Sequence, residues 1–119
     1  MRNHRSLVAW QEANHLVNLV LDLTRDQWKP HLAIVYRQLS AAAISTQINI
    51  TEGYGLGTQP LFLRHLRIAY GSAVEAGDLV DLLVEREELP STEMGLEAQR
   101  TSHRSQRLLL GLIKRYKLK

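Results

Sequence analysis

Apolar residues recur at helical spacing over four long stretches of this chain, and no stretch alternates apolar with polar residues as a half-buried strand does. The first stretch runs from about Leu7 to Thr24. Its polar side is narrow, comprising Gln11, Asn14, His15, Asn18 and Asp22, while Trp10, Leu16, Val17, Leu19, Val20 and Leu21 fill most of the rest. An ordinary surface helix carries a narrower apolar stripe. Glu12 projects into that apolar arc, where a carboxylate needs a partner if it is buried.

The second stretch, from about Leu32 to Glu52, carries two stripes. One is Leu32, Val35, Leu39, Ala42, Thr46 and Ile50; the other, on the opposite side, is Ile34, Ala41, Ile44 and Ile48. Both follow heptad-like steps. One core uses only one stripe comfortably, so the second predicts a subunit interface made by Ile34, Ala41, Ile44 and Ile48. The third stretch, from about Gln59 to Glu88, holds an a/d seam of Phe62, Leu66, Ala69, Ala73, Ala76, Val80 and Leu83. Its successive alanines imply close approach between helices, which Gly71 and Gly77 also allow. The fourth stretch runs from about Thr92 to Tyr116. Ala98, Ser102, Ser105, Leu109, Leu112 and Tyr116 form its expected buried face. Arg100, Arg104, Arg107 and Lys114 stack on another face, because residues four and seven apart lie above one another.

Breakers fall near 26–31, 53–58 and 89–93. Short connections between long helices favour antiparallel neighbours. The fold expected is therefore all-α, an antiparallel up-down four-helix bundle, with residues 1–119 as a single domain. In the middle connection, Gly53 suits the residue after a helix end, Thr58 an N-cap, and Pro60 the first turn of the next helix. A phosphate-cradling glycine loop is the alternative. That motif follows a strand and closes on Lys-Ser/Thr, whereas here a helix precedes Gly53-x-Gly55-x-Gly57 and no such pair closes it.

Composition narrows the chemistry. The chain has 119 residues, 45% apolar content and no cysteine, which excludes disulfides and thiolate metal sites. No apolar run approaches the roughly 18 residues of a membrane span, so the expected location is the cytoplasm, with no membrane partner. Glu12-x-x-His15 has the spacing of a di-iron half-site, but a second copy is missing and the two residues fall on different sides of their helix. Asp78-x-x-Asp81 reads as a solvated pair. No nucleophile elbow or Ser/His/Asp set can be placed. The expectation is a non-enzyme with no catalytic residues, no metal and no cofactor.

Charge is unevenly spread. From Glu75 to Glu97 lie eight acids and one arginine; from Ala98 to Lys119 lie seven Lys or Arg and no acid, although the net charge is only +3. The face bearing Arg100, Arg104, Arg107 and Lys114 is the candidate nucleic-acid-binding site, since arginines on a helix neutralise phosphates with little sequence discrimination. The plain alternative is a solvated face, or one paired with acids of a neighbouring subunit.

Trp10-Gln11, Leu23-Thr24, Ile44-Ser45, Asn49-Ile50, Glu52-Gly53-Tyr54-Gly55, Phe62-Leu63 and Ile68-Ala69-Tyr70-Gly71-Ser72, then Glu75, occur in an order and spacing that carry a resemblance. The chain resembles the bacterial four-helix-bundle family encoded within intervening sequences of 23S ribosomal RNA genes. More distantly it is similar to the accessory protein of diversity-generating retroelements. The likeness spans roughly residues 7 to 90. It departs where Ser40-Ala41, Thr46-Gln47 and Leu56 replace the arginines and proline usual in that family. The resemblance implies a homo-oligomeric ring, a pentamer, with RNA or DNA as a further partner. The retroelement likeness implies an alternative, an adaptor for a reverse transcriptase-like protein without nucleic-acid contact.

Overall fold

The computed structural model describes residues 3–89 and 92–117; the expected breaker Pro90-Ser91 lies outside them. Four helices follow one another, α1 (Val8–Gln27), α2 (Ala33–Gly55), α3 (Gln59–Glu85) and α4 (Thr92–Lys117), with 3-10 turns at His4–Ser6 and Pro30–Leu32. No strand occurs among the described residues. α1 packs on α2 and α4, and α3 packs on the same two, so α1 stands diagonal to α3 and α2 diagonal to α4. This is the all-α, antiparallel four-helix bundle the periodicity predicts.

The a/d seam of α3 is buried along its whole length, from Phe62 through Ala69, Ala73 and Ala76 to Leu83. Its small residues bring the partners close. A Cβ on Gly77 would come within 2.5 Å of Gln106 Nε2 and 2.7 Å of Ser102 Oγ on α4. Gly71 is different from the expectation: it is exposed, with nothing within 4 Å of a built Cβ. Large side chains gather in two clusters. One contains Leu16, Val20, Leu23, Tyr36, Leu39, Val80 and Leu83. The other, toward the opposite end, contains Trp10, Ile50, Phe62, Leu66 and Leu109. Buried Thr46, Ser102 and Ser105 occupy the helix positions between them.

Each pair of neighbouring helices is also stitched by polar side chains at its edge. The Trp10 indole N–H donates to Thr51 Oγ1 at 3.0 Å, and Asn14 Nδ2 donates to Gln47 Oε1 at 3.3 Å, between α1 and α2. Ser45 and Ser72 hydroxyls lie 2.8 Å apart between α2 and α3. Gln99 Nε2 donates to Asp81 Oδ1 at 2.9 Å between α3 and α4. Such directional contacts favour one choice of neighbour over others of equal apolar area.

The connections depart from the simplest reading. α2 continues past Glu52 to Gly55, so Gly53 lies inside the helix and is buried. A Cβ there would stand 2.7 Å from His65 Cβ and 3.1 Å from Phe62 Cδ1, and its absence lets α2 and α3 touch. The turn instead uses Gly57, at φ 77°, a region glycine occupies without steric penalty. Thr58 holds the N-cap position with extended backbone but makes no side-chain capping bond, while Pro60 sits in the first turn as expected. α3 ends in a Schellman motif: Glu88 N–H donates to the Leu83 carbonyl and Glu87 N–H to the Val84 carbonyl, both at 3.0 Å. Glu87 is the left-handed residue, at φ 58°.

The two glycines at the end of α2 give opposite expectations. Gly55→Ala meets no neighbour and is expected to stabilise the protein by about 0.4–1 kcal/mol. Gly53→Ala forces two helices apart and is expected to destabilise it by roughly 1–3 kcal/mol. Urea denaturation monitored by circular dichroism measures both; equal effects of the two substitutions contradict the close contact at Gly53.

Candidate nucleic-acid interface and self-association face

Leu32 in the turn before α2, and Leu39, Ala42, Thr46 and Ile50 on α2, are buried in the bundle, joined by Tyr36 and Ala43. The heptad reading passed over Tyr36, although it stands four residues after Leu32 and three before Leu39. Val35 is only half-buried. The second stripe faces outward. Ile34 is 62% exposed, Ile44 42% and Ile48 43%, with Ala41 also exposed between them. Ile68 on α3, likewise 43% exposed, lies one turn from both His65 and Ser72, the residues that contact α2, so it extends this surface across the groove.

The expected α4 face splits into two kinds of cation. Arg100 donates to Glu97 Oε2 at 2.7 Å, one turn away on the same helix. Arg104 Nε stands 3.3 Å from Glu12 Oε2, which supplies the partner that Glu12 needs. Arg107 and Lys114 are exposed, and no acid lies within ion-pair distance of either among the described residues. Arg115 and Lys117 extend the cationic surface through the last turn, where positive charge also offsets the helix dipole. Only Arg107 and Lys114 of the four expected residues are therefore uncommitted.

Glu12 and His15 do not converge. His15 Nε2 lies 3.0 Å from Glu97 Oε1, while Glu12 turns to Arg104. Among the described residues no group of three His, Asp or Glu is placed to hold a metal ion. No described helix is long and apolar enough to cross a membrane. The residues of the sequence signature meet along the α2–α3 edge. Asn49 Nδ2 donates to the Ser45 carbonyl at 2.9 Å, and His65 Nδ1 lies 2.9 Å from Asn49 Oδ1 and 3.8 Å from Glu52 Oε2. His65 faces an amide and a carboxylate rather than a hydroxyl, so this chain of contacts ties two helices and activates no nucleophile.

The antiparallel path also sorts charge along the bundle. At the end where α1 and α3 begin and α2 and α4 finish lie Arg5, Arg64, Lys114, Arg115 and Lys117, with Glu12 and Glu52 opposing them. At the other end lie Asp22, Asp26, Glu85, Glu87, Glu88, Glu93 and Glu97, against Arg25, Lys29, Arg37, Arg86 and Arg100. The sequence shows acidic and basic blocks; only the topology shows that they occupy opposite ends.

Within the acidic end, Glu88 is the most confined carboxylate, with its side chain 12% exposed. Its Oε1 lies 3.1 Å from His31 Nε2 and 3.6 Å from an Arg86 nitrogen, and its Oε2 lies 3.8 Å from Lys29 Nζ. The hydrogen bond from His31, with the nearby cations, holds the Glu88 carboxyl below its usual range despite some desolvation. Glu97 is lowered in the same way, first by the His15 hydrogen bond and then by Arg100.

The chain matches the family described as 23S rRNA-intervening sequence protein over residues 5–109, and it belongs to that family. A crystal structure from Bacteroides thetaiotaomicron VPI-5482, described as a protein with unknown function from the S23 ribosomal protein family, is similar. Its TM-score is 0.75 at 24% identity, covering 90% of this chain and 99% of that one. At that identity the likeness shows the fold alone. None of the curated proteins compared with this chain matches it.

The lowered carboxyls set the sign of the acid response. A group whose folded pKa lies below its unfolded value stabilises fully above the unfolded value and loses that contribution as pH falls through the folded one. Stability is therefore expected to decline as pH is lowered below the ordinary glutamate value of 4.5. Glu88→Gln is expected to make that decline shallower, with lower stability than the parent at neutral pH. Denaturation midpoints measured from pH 7 to pH 3 check this; parallel curves for the two proteins contradict the Glu88 contribution.

Proposed function

We propose that this chain is a non-enzymatic bundle that assembles with copies of itself through the outer face of α2 and binds RNA or another nucleic acid through α4. The observation that carries the reading is the placement of the two surfaces. α2 and α4 are diagonal, so their outer faces point in opposite directions. Copies joined through Ile34, Ala41, Ile44 and Ile48 leave Arg107 and Lys114 open. Assembly then repeats a weak cationic site, and several phosphate contacts act together. The pentameric ring implied by the resemblance is one way to close such a contact. The family's description names a 23S rRNA intervening sequence, which makes RNA the first polyanion to test.

A second reading is a protein-binding adaptor, its α2 stripe taking a different protein. The pairing of Arg100 and Arg104 with acids of their own chain favours it, because it withdraws those arginines from phosphate contact.

The assembly half is tested by sedimentation equilibrium at micromolar concentration. Oligomers are expected, and Ile44→Glu or Ile48→Glu is expected to dissociate them while leaving the helical circular dichroism in place, because the new carboxylate is desolvated in the interface. A wild-type monomer contradicts self-assembly and leaves the adaptor.

The nucleic-acid half separates the four cations. Arg107→Gln with Lys114→Gln is expected to weaken RNA binding for all sequences alike and to reduce the slope of log affinity against log salt by up to about two. Arg104→Gln is expected instead to lower stability, by up to about 1 kcal/mol, through loss of its pair with Glu12. Salt-titrated binding and thermal melting of the three proteins measure this. Absence of binding to RNA or DNA at low salt turns the conclusion to the adaptor.

A further inference from the structure

We propose that the end of the bundle where α2 turns into α3 takes an unpaired nucleobase, seated on an aromatic cluster while its flanking phosphates rest on the last turn of α4. This rests on the nucleic-acid reading above and adds to it a preference for single strands.

Three rings from three helices meet at this end. Phe62 and Tyr116 have centroids 5.0 Å apart at an interplanar angle of 77°, and Tyr54 and Phe62 have centroids 6.1 Å apart at 88°. These edge-to-face contacts hold the rings in fixed relative orientation. They wall a cavity of about 380 Å3, rimmed by Gly57, Thr58 and Gln59. That volume lies within the roughly 300–1,000 Å3 typical of small-ligand sites. Phe62 is 7% exposed and belongs to the core, whereas Tyr54 is 36% exposed and opens to solvent. The cluster thus has an anchored ring beneath a reachable one. Gly53 makes the arrangement possible, because a Cβ there would stand 3.1 Å from the Phe62 ring.

The cations are held in register with the rings. Gln59 Nε2 donates to the Tyr116 carbonyl at 2.9 Å, tying the end of α4 to the start of α3. Lys114, Arg115 and Lys117 flank Tyr116 and are exposed. The acid nearest in sequence, Glu52, lies 3.8 Å from His65 on the neighbouring edge. An aromatic wall beside a cationic rim fits a flat group carried on a chain of phosphates. Every base has a π face, so stacking tolerates any sequence. A duplex keeps its base faces stacked inside and offers phosphates and groove edges but no free π face.

The test compares labelled probes of equal length on the intact protein by fluorescence anisotropy at low salt: a uridine single strand, the same strand with abasic sugars, and an RNA duplex. The uridine strand is expected to bind at least about fivefold more tightly than the abasic strand, the lower end of what one stacked base contributes. Tyr54→Leu is expected to bring these two affinities to within about twofold of each other and to leave duplex binding unchanged. In the unsubstituted protein, a strand carrying 5-iodouracil is expected to photocrosslink to the peptides bearing Tyr54 or Tyr116, which depends on no variant's folding. Equal affinity for the uridine and abasic strands, with crosslinks elsewhere, overturns the base pocket and leaves the phosphate reading standing. Failure of all three probes to bind overturns both.

Discussion

The close approach of α3 to its neighbours is the constraint on which the rest of this bundle depends. Ala69, Ala73, Ala76 and Gly77 are all buried and offer no side chain longer than a methyl group. Helices meeting over such residues lie near the short end of the usual interaxial range of about 8–10 Å. Little volume is then left at mid-bundle for large side chains. The bulky residues are displaced toward the two ends, and the middle is filled by Thr46, Ser102 and Ser105. Thr46 satisfies its hydroxyl by donating to the Ala42 carbonyl at 2.8 Å, so the narrow waist holds polar atoms without breaking the helix.

A narrow core also limits how much apolar surface each helix hides. α2 places Leu39, Ala42, Ala43 and Ile50 inside, and among the described residues Ile34, Ala41, Ile44 and Ile48 stay exposed. The polar rims reinforce this. Asn14 with Gln47 on one edge of α2, and Ser45 with Ser72 on the other, fix where its neighbours sit and leave the isoleucines between those edges on the outside. Scattered exposed apolar residues are ordinary on a protein surface; a row of them along one helix is not.

The fold was legible because period and seam agree. Every member of the α3 seam named from its four-and-three spacing is buried, and the four helices fall where the apolar pattern places them. What periodicity misjudged was glycine. Gly53 looked like a helix end, since sequence alone does not separate a residue that needs positive φ from one that must have no Cβ; the structure assigns the first need to Gly57 and the second to Gly53. The candidate site was legible only in part. Helical spacing put Arg100, Arg104, Arg107 and Lys114 on one face, but their partners depend on contacts between elements. Glu12 lies far from Arg104 in sequence, and no local pattern joins them. Tyr54, Phe62 and Tyr116 were hidden for the same reason, coming from three helices.

Antiparallel topology turns these separate placements into a polarised object. The chain reverses between α3 and α4, within its acidic stretch, so the acids of late α3 and early α4 share one end and the cations of late α4 are carried to the other. There they join Arg5 and Arg64, which begin far away in sequence. A basic helix face alone attracts any polyanion, and half of this one is already neutralised by Glu97 and Glu12. On the proposed nucleic-acid reading, an end that combines open cations with aromatic rings is the more selective surface, because charge would draw a strand in while the rings would distinguish a splayed base from a stacked one. The discrimination proposed for this bundle therefore lies less in the stripe along α4 than in where that stripe terminates.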